Sequence, residues 1–121
     1  LIDQVASLID QQQKIGEITL IATQVQNADG KGLRGVADEL RNRMESGVFC
    51  LSTTNDSKVS LLIAVTDDLI PRFQAGALVK TLAPIIGGRG GGKPQLAQAG
   101  GNDAQGLTEL FNKCAELIEQ G

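Results

Sequence analysis

Gly87-Gly88-Arg89-Gly90-Gly91-Gly92-Lys93-Pro94-Gln95-Leu96-Ala97-Gln98-Ala99-Gly100-Gly101 is the stretch around which the chain is organised. Seven of its fifteen residues are glycine, against a usual share of about 7%, so the run is no accident of composition. Glycine admits positive φ and lets another backbone, or a ligand, come close. A run of it presents N–H groups with no side chains in front, a surface suited to phosphate oxygens. Arg89 and Lys93 put two positive charges inside the run. The plain alternative is a flexible linker. Linkers are commonly Gly/Ser-rich, whereas this stretch has no serine. Leu82, Ile85 and Ile86 lead into it and an amphipathic helical pattern follows it. The expectation is an ordered loop between two packed helices.

Upstream, Leu1, Ile2, Val5, Leu8 and Ile9 have helical spacing, with Leu1, Val5 and Leu8 forming a heptad seam. Two turns suit a helical connector lying on its own domain, or else a dimer contact. The β-branched, nearly continuous apolar run from Glu17 to Val25 reads as a strand covered on both faces. Asn27-Ala28-Asp29-Gly30 is a turn and a helix cap. Leu33, Val36, Ala37, Leu40 and Met44 then mark one face of a helix. Lys31, Arg34, Arg41 and Arg43 point away from that face, interleaved with Asp38 and Glu39. Glu39 and Arg43 form an i, i+4 pair. This is read mainly as a solvated face.

Val48–Thr53 and Lys58–Val65 read as a strand hairpin around Asn55-Asp56-Ser57. The strand–helix–strand passage before it implies a parallel crossover. Thr66-Asp67-Asp68 supplies capping side chains, and Pro71 suits the first turn of a helix with Phe73, Leu78, Val79, Leu82 and Ile85 as its apolar stripe. Pro84 breaks the last turn of that helix. Asn102-Asp103 caps a final helix bearing Leu107, Leu110, Phe111, Cys114, Leu117 and Ile118. The fold class is α/β: a small mixed β-sheet flanked by helices, with an N-terminal helical lead-in.

At 121 residues, 41% hydrophobic and 21% charged, the chain can bury a core without disulfides or metal. It starts at Leu1 with a helical pattern under way, so a piece of a longer protein is expected. The net charge of −3 speaks against a generally basic nucleic-acid binder. Charge position matters more than the sum, however. From Leu69 to Asn102 there is no acid, and Arg72, Lys80, Arg89 and Lys93 fall there. Cys50 and Cys114 lack CxxC spacing and read as buried free thiols. No apolar run is long enough for a membrane span, no signal peptide is visible, and a reducing cytoplasm is expected. Only Phe49, Phe73 and Phe111 are aromatic, so RNA recognition would rest on shape and backbone. With no histidine and no Walker loop, there is no catalytic constellation. Asp67 and Asp68 could be metal ligands, but capping is the commoner job at such a junction.

Gly87, Gly88, Gly90, Gly91, Gly92, Lys93, Pro94, Ala97, Gln98, Gly100 and Gly101 resemble the signature loop of the DHH-associated domain. More narrowly, they resemble the form that closes bacterial alanyl-tRNA synthetase, the C-Ala domain. The resemblance runs from Gly16 to Gly121, and Pro84 is not part of the family pattern. It implies a helical connector ending over 1–15 and a globular domain over 16–121. It implies a parent enzyme that joins alanine to tRNA with ATP and edits mischarged product elsewhere in its chain. ATP with Mg²⁺ and zinc would belong to that parent, with no cofactor in this fragment. The implied partner is tRNA(Ala), held at its elbow by backbone contacts so as to link the aminoacylation and editing centres. Self-association into a homodimer through the N-terminal helix is also implied. The implied nucleic-acid-binding residues are Gly87, Gly88, Arg89, Gly90, Gly91, Gly92, Lys93, Pro94, Gln98, Gly100 and Gly101. The same associated domain closes DHH-type phosphoesterases and nucleases, which is the second reading of the parent. A purely structural dimerisation module is a third.

Overall fold

The computed structural model describes residues 4–25, 30–56 and 58–120. The elements run α1 (Gln4–Asp10), β1 (Gln13–Ile15), β2 (Ile18–Gln24), α2 (Gly30–Arg43), β3 (Val48–Asn55), β4 (Lys58–Val65), α3 (Ala75–Leu82), β5 (Arg89–Gly92), β6 (Leu96–Gly101) and α4 (Leu107–Gln120). One mixed sheet takes the order β1-β2-β3-β4-β6-β5. β2 and β3 are parallel, as a crossover through α2 requires, and the other pairings are antiparallel.

Period-two alternation sends β-strand side chains to two separate cores. Leu20, Cys50, Leu61, Ile63 and Val65 face α3 and α4, with Leu78, Val79, Leu82, Leu110 and Ile118. Ile21, Phe49, Leu51, Leu62 and Ala64 face α1 and α2, with Leu8, Leu33, Ala37 and Leu40. The expected mixed sheet flanked by helices is what forms. The lead-in helix lies on its own domain through Leu8. Leu1 and Ile2 of the expected pattern, the Asn27–Asp29 turn and Ser57 of the hairpin turn lie outside the described residues. Cys50 and Cys114 are free and buried. The Cys114 thiol hydrogen-bonded to Cys50, and then burial, hold the Cys50 thiol well above its ordinary range.

Two expectations are corrected. The glycine stretch is not a loop between helices but a β-hairpin, β5 and β6, extending the sheet beyond β4. Glycine and alanine are weak strand formers, so propensity hides these strands. The helix expected from Pro71 starts only at Ala75. A 3-10 turn over Asp67–Leu69 comes first, and the Phe73 N–H donates to the Leu69 carbonyl. Pro84 does end the regular helix: α3 stops at Leu82 and a 3-10 turn over Ala83–Ile86 follows, closed by Gly87 at φ 66°.

Several glycines serve the protein's own packing. A methyl group at Gly88 would overlap the Gly100 carbonyl, and one at Gly101 the Ile86 carbonyl. Gly91 and Gly100 are different, since a methyl there would meet nothing nearer than 4.0 Å. Gly101→Ala should therefore destabilise the fold by about 1–3 kcal/mol or more in urea unfolding, while Gly91→Ala stays near the wild type.

Asp68 is exposed yet structural. It accepts the Ser46 hydroxyl at 2.6 Å and the Thr66 hydroxyl at 2.6 Å, and Thr66 Oγ1 accepts the Gly47 N–H at 3.0 Å. The cluster ties the end of β4 to the turn before β3. Those hydroxyls, Ser46 first, hold the Asp68 carboxyl below its ordinary range. A depressed folded pKa contributes stability above the ordinary carboxylate range and loses it as pH falls through the folded value. Asp68→Ala should melt a few degrees below wild type near neutrality, and the gap should close on acidification in a melting series.

Candidate nucleic-acid interface

The hairpin is held at its turn and along one strand. Lys93 N–H donates to the Leu96 carbonyl at 2.9 Å, closing the two-residue turn Pro94-Gln95. The first amides of α3 then take the turn's carbonyls: Ala75 N–H to Pro94 at 2.8 Å and Gly76 N–H to Lys93 at 3.2 Å. A helix N-terminus has unsatisfied N–H groups, and Gln74, the capping residue here, offers no side-chain bond to them. Gly76 is small because a methyl there would come within 2.7 Å of the Gly92 carbonyl. On the other strand, Gly101 to Leu96 pairs with Val59 to Ala64 of β4.

The Lys93–Leu96 bond sets the parity of the ladder. Hydrogen-bonded pairs alternate in antiparallel strands, so Gly91 with Gln98 and Arg89 with Gly100 also exchange bonds. The N–H of Gly90, between them, turns outward along the sheet's open edge. Arg89, Gly90, Gly92, Lys93, Pro94, Gln98 and Gly100 are exposed, and Gly91 is half-buried. Gly87 is exposed at the hairpin's entry, whereas Gly88 and Gly101 are half-buried where the protein's own backbone approaches closely.

The two faces of the hairpin differ. Ala97 and Ala99 pack into the α3–α4 core, while Leu96 packs toward α2. Gln98 and Gly100 share the Leu96 side by alternation. α2 lies over β3 and β4, so the sheet surface beyond it stays open. There a cleft of about 380 Å³ forms, lined by Arg34, Asp38, Arg41, Lys93, Gln98 and the backbone of Gly91 and Gly92. Arg34 and Arg41, seven residues apart and so on one side of the helix, line this cleft, and Arg34 is exposed as a solvated face requires. Their i, i+7 spacing was the available signal, masked by the acids between them. Glu39 and Arg43 do form the expected pair, at 3.0 Å.

Lys80 of α3 also reaches the edge strand β5. Its Cε lies 4.0 Å from where a methyl on Gly91 would sit. Among the described residues, Arg34, Arg41, Lys80, Arg89 and Lys93 have no carboxylate partner. Five unpaired cations thus surround a ribbon nearly free of side chains, a surface that can receive several phosphates at once. Base stacking has no platform there: Phe49 and Phe73 are buried and Phe111 is half-buried on α4.

A larger cleft of about 650 Å³ adjoins it and shares Asp38 and Arg41. Its other lining includes Glu45, Asp67 and Asp68, so it is acidic and bounds the positive surface. Among the described residues, no cluster of three or more His, Cys, Asp or Glu could hold a metal ion.

Comparison with known proteins places this geometry. The alanine–tRNA ligase of Anaeromyxobacter dehalogenans is 50% identical over 103 residues, 85% of this chain and 11% of that protein. The ligase of Pelotomaculum thermopropionicum is 42% identical over 117 residues, 96% of this chain and 13% of that one. The chain thus spans only about an eighth of the length of these curated relatives. The crystal structure of the C-Ala domain from Aquifex aeolicus alanyl-tRNA synthetase superposes with a TM-score of 0.84 at 24% identity, covering 89% of this chain and 97% of that one, so the fold is shared. A DHH-domain protein from a family of ribosomal proteins matches more distantly, with a TM-score of 0.56 at 15% identity over 90% of this chain and 28% of that one. The DHHA1 domain family matches residues 17–120, nearly the entire length, and the chain belongs to that family.

Proposed function

We propose that this chain is the tRNA-binding C-Ala domain of an alanyl-tRNA synthetase. The observation that carries the proposal is the exposed glycine hairpin with unpaired Arg89 and Lys93, facing Arg34 and Arg41 across an open cleft. Identities of 42–50% to segments of alanine–tRNA ligases support it. In this reading the domain holds tRNA(Ala) by its sugar-phosphate backbone, at the elbow, and so links the aminoacylation and editing centres of the parent. The parent joins alanine to tRNA with ATP, in the cytoplasm. No helix among the described residues is long and apolar enough to cross a membrane.

ATP, Mg²⁺ and zinc belong to other parts of such an enzyme. This chain has no histidine, and its two thiols are buried against each other. Self-association through the N-terminal helix remains part of the proposal, and Leu8 is already committed to the domain's own core. The phosphoesterase reading rests on fold-level likeness at 15% identity and has no specific observation in its favour.

Each phosphate contact removed should lower the slope of log affinity against log salt by about one unit. Arg89→Ala with Lys93→Ala should reduce that slope for tRNA by about two units in a salt-dependent binding titration. An unchanged affinity and slope would overturn the assignment. Arg34→Ala with Arg41→Ala should reduce the slope by a similar amount if the α2 wall of the cleft takes part. All four side chains are free of structural ion pairs among the described residues, so folding should survive each change, as circular dichroism can check.

A further inference from the structure

Cys50 and Cys114 are the chain's two cysteines, and the fold brings them together. Cys50 sits within β3, cross-strand from Ala22 of β2 and Ile63 of β4. Cys114 sits in the middle of α4. Both are fully buried in the core beneath α3 and α4, and their thiols are hydrogen-bonded to one another. A buried cysteine serves well enough as a small apolar side chain. Two that meet across a helix–sheet interface have a further chemistry open to them, since two thiols can be replaced by one S–S bond once the sulfurs close to about 2 Å. The element that carries Cys114 has freedom to make that approach. The six strands pair with one another and not with α4, which rests on β1, β2 and β3 through side chains such as Leu110 and Ile118. Its lead-in is pinned by the Asn102 and Asp103 amides, which donate to the Ile86 carbonyl at 3.0 Å each. The helix can therefore shift or lift on the sheet without breaking a ladder bond, and such local opening admits a small oxidant to the thiols.

We infer that Cys50 and Cys114 are a redox-responsive staple: a hydroperoxide converts the pair to a disulfide that ties α4 to the interior strand β3, and thiol reductants release it. The first step belongs to Cys114, whose thiolate attacks the O–O bond, keeps one oxygen as a sulfenic acid and releases the other as water. The Cys50 sulfur then attacks the Cys114 sulfur, the S–S bond forms, and the hydroxyl leaves as water with the Cys50 proton. Two thiols lose two electrons and two protons, and one hydrogen peroxide becomes two waters. The order follows from the pair itself. The contact with Cys114, and then burial, hold the Cys50 thiol well above its ordinary range, so Cys50 keeps its proton until the second step. Burial also keeps the pair unreactive while α4 is seated, so reduced surroundings leave it as two thiols. This inference is independent of the RNA-binding reading, because neither sulfur reaches the hairpin surface.

The test exposes the folded, fully reduced 121-residue chain to hydrogen peroxide, digests it without reductant and reads the Cys50 and Cys114 peptides by mass spectrometry. Met44 also takes up oxygen, so the cysteine peptides and not the intact mass are the readout. The expected product is one linked peptide, about 2 Da lighter than the two thiol peptides together, formed within a single chain and lost with dithiothreitol. The linked chain should melt about 10 °C above the reduced one, because the bond closes a long loop of the unfolded chain. Cys50→Ala and Cys114→Ala should each abolish the link and the shift. Either change leaves a small cavity, so folding is checked by circular dichroism, and the wild-type peptide map decides the matter without them. Thiols that stay reduced until urea unfolds the chain overturn the inference. So do a sulfinic acid on one cysteine with no link, a link between two chains, or a linked chain that melts no higher than the reduced one.

Discussion

Two hydrogen bonds, from the first amides of α3 to the carbonyls of Pro94 and Lys93, position the glycine hairpin against the rest of the fold. A Gly-rich hairpin has little side-chain packing to hold it and a high entropic cost of ordering. Here the cost is offset from three sides. β6 is zipped to β4 along its length, Gly76 lets the helix rest on the Gly92 carbonyl, and the orphan amides of α3 find their acceptors in the turn. Helix and hairpin thus satisfy each other's unpaired polar groups. One consequence is that the α3 N-terminus is already occupied and serves as an anchor, while the cations and the outward-turned edge of β5 meet the solvent.

The net charge of −3 is unevenly distributed over the chain, so it does not preclude a local positive surface. Asp67, Asp68 and Glu45 gather in the neighbouring cleft, and Glu109, Glu116 and Glu119 lie on α4. Near the hairpin, the unpaired cations outnumber Asp38, the one carboxylate lining that cleft. Over a Debye length of about 8 Å at physiological salt, a ligand at the hairpin responds to this local set and not to the chain's total. The acidic cleft beside it bounds this positive set at Arg41.

The glycines divide by physical necessity. Gly88, Gly90 and Gly101 press against neighbouring backbone, so their lack of a side chain builds the sheet and its junction with Ile86. Gly91 and Gly100 have space for a methyl group, so the fold itself does not require glycine there. A run of identical letters in the sequence thus carries two different requirements, separable only once the neighbours are known.

From the sequence alone came the α/β class, the two-faced strands, the parallel crossover, the helix break at Pro84, the free thiols and the family likeness. Each depends on periodicity, backbone chemistry or a long motif, which are local properties of the chain. The residues of the candidate site on the hairpin were legible for the same reason, since seven glycines and two cations sit in one short run. Tertiary structure alone decided that this run is a pair of strands, because its pairing partner β4 is distant in sequence and its residues have no strand propensity of their own. It alone brought Arg34, Arg41 and Lys80 to the hairpin, because which exposed side of a helix faces a neighbour is set by packing across the sheet and not by the helix's own sequence.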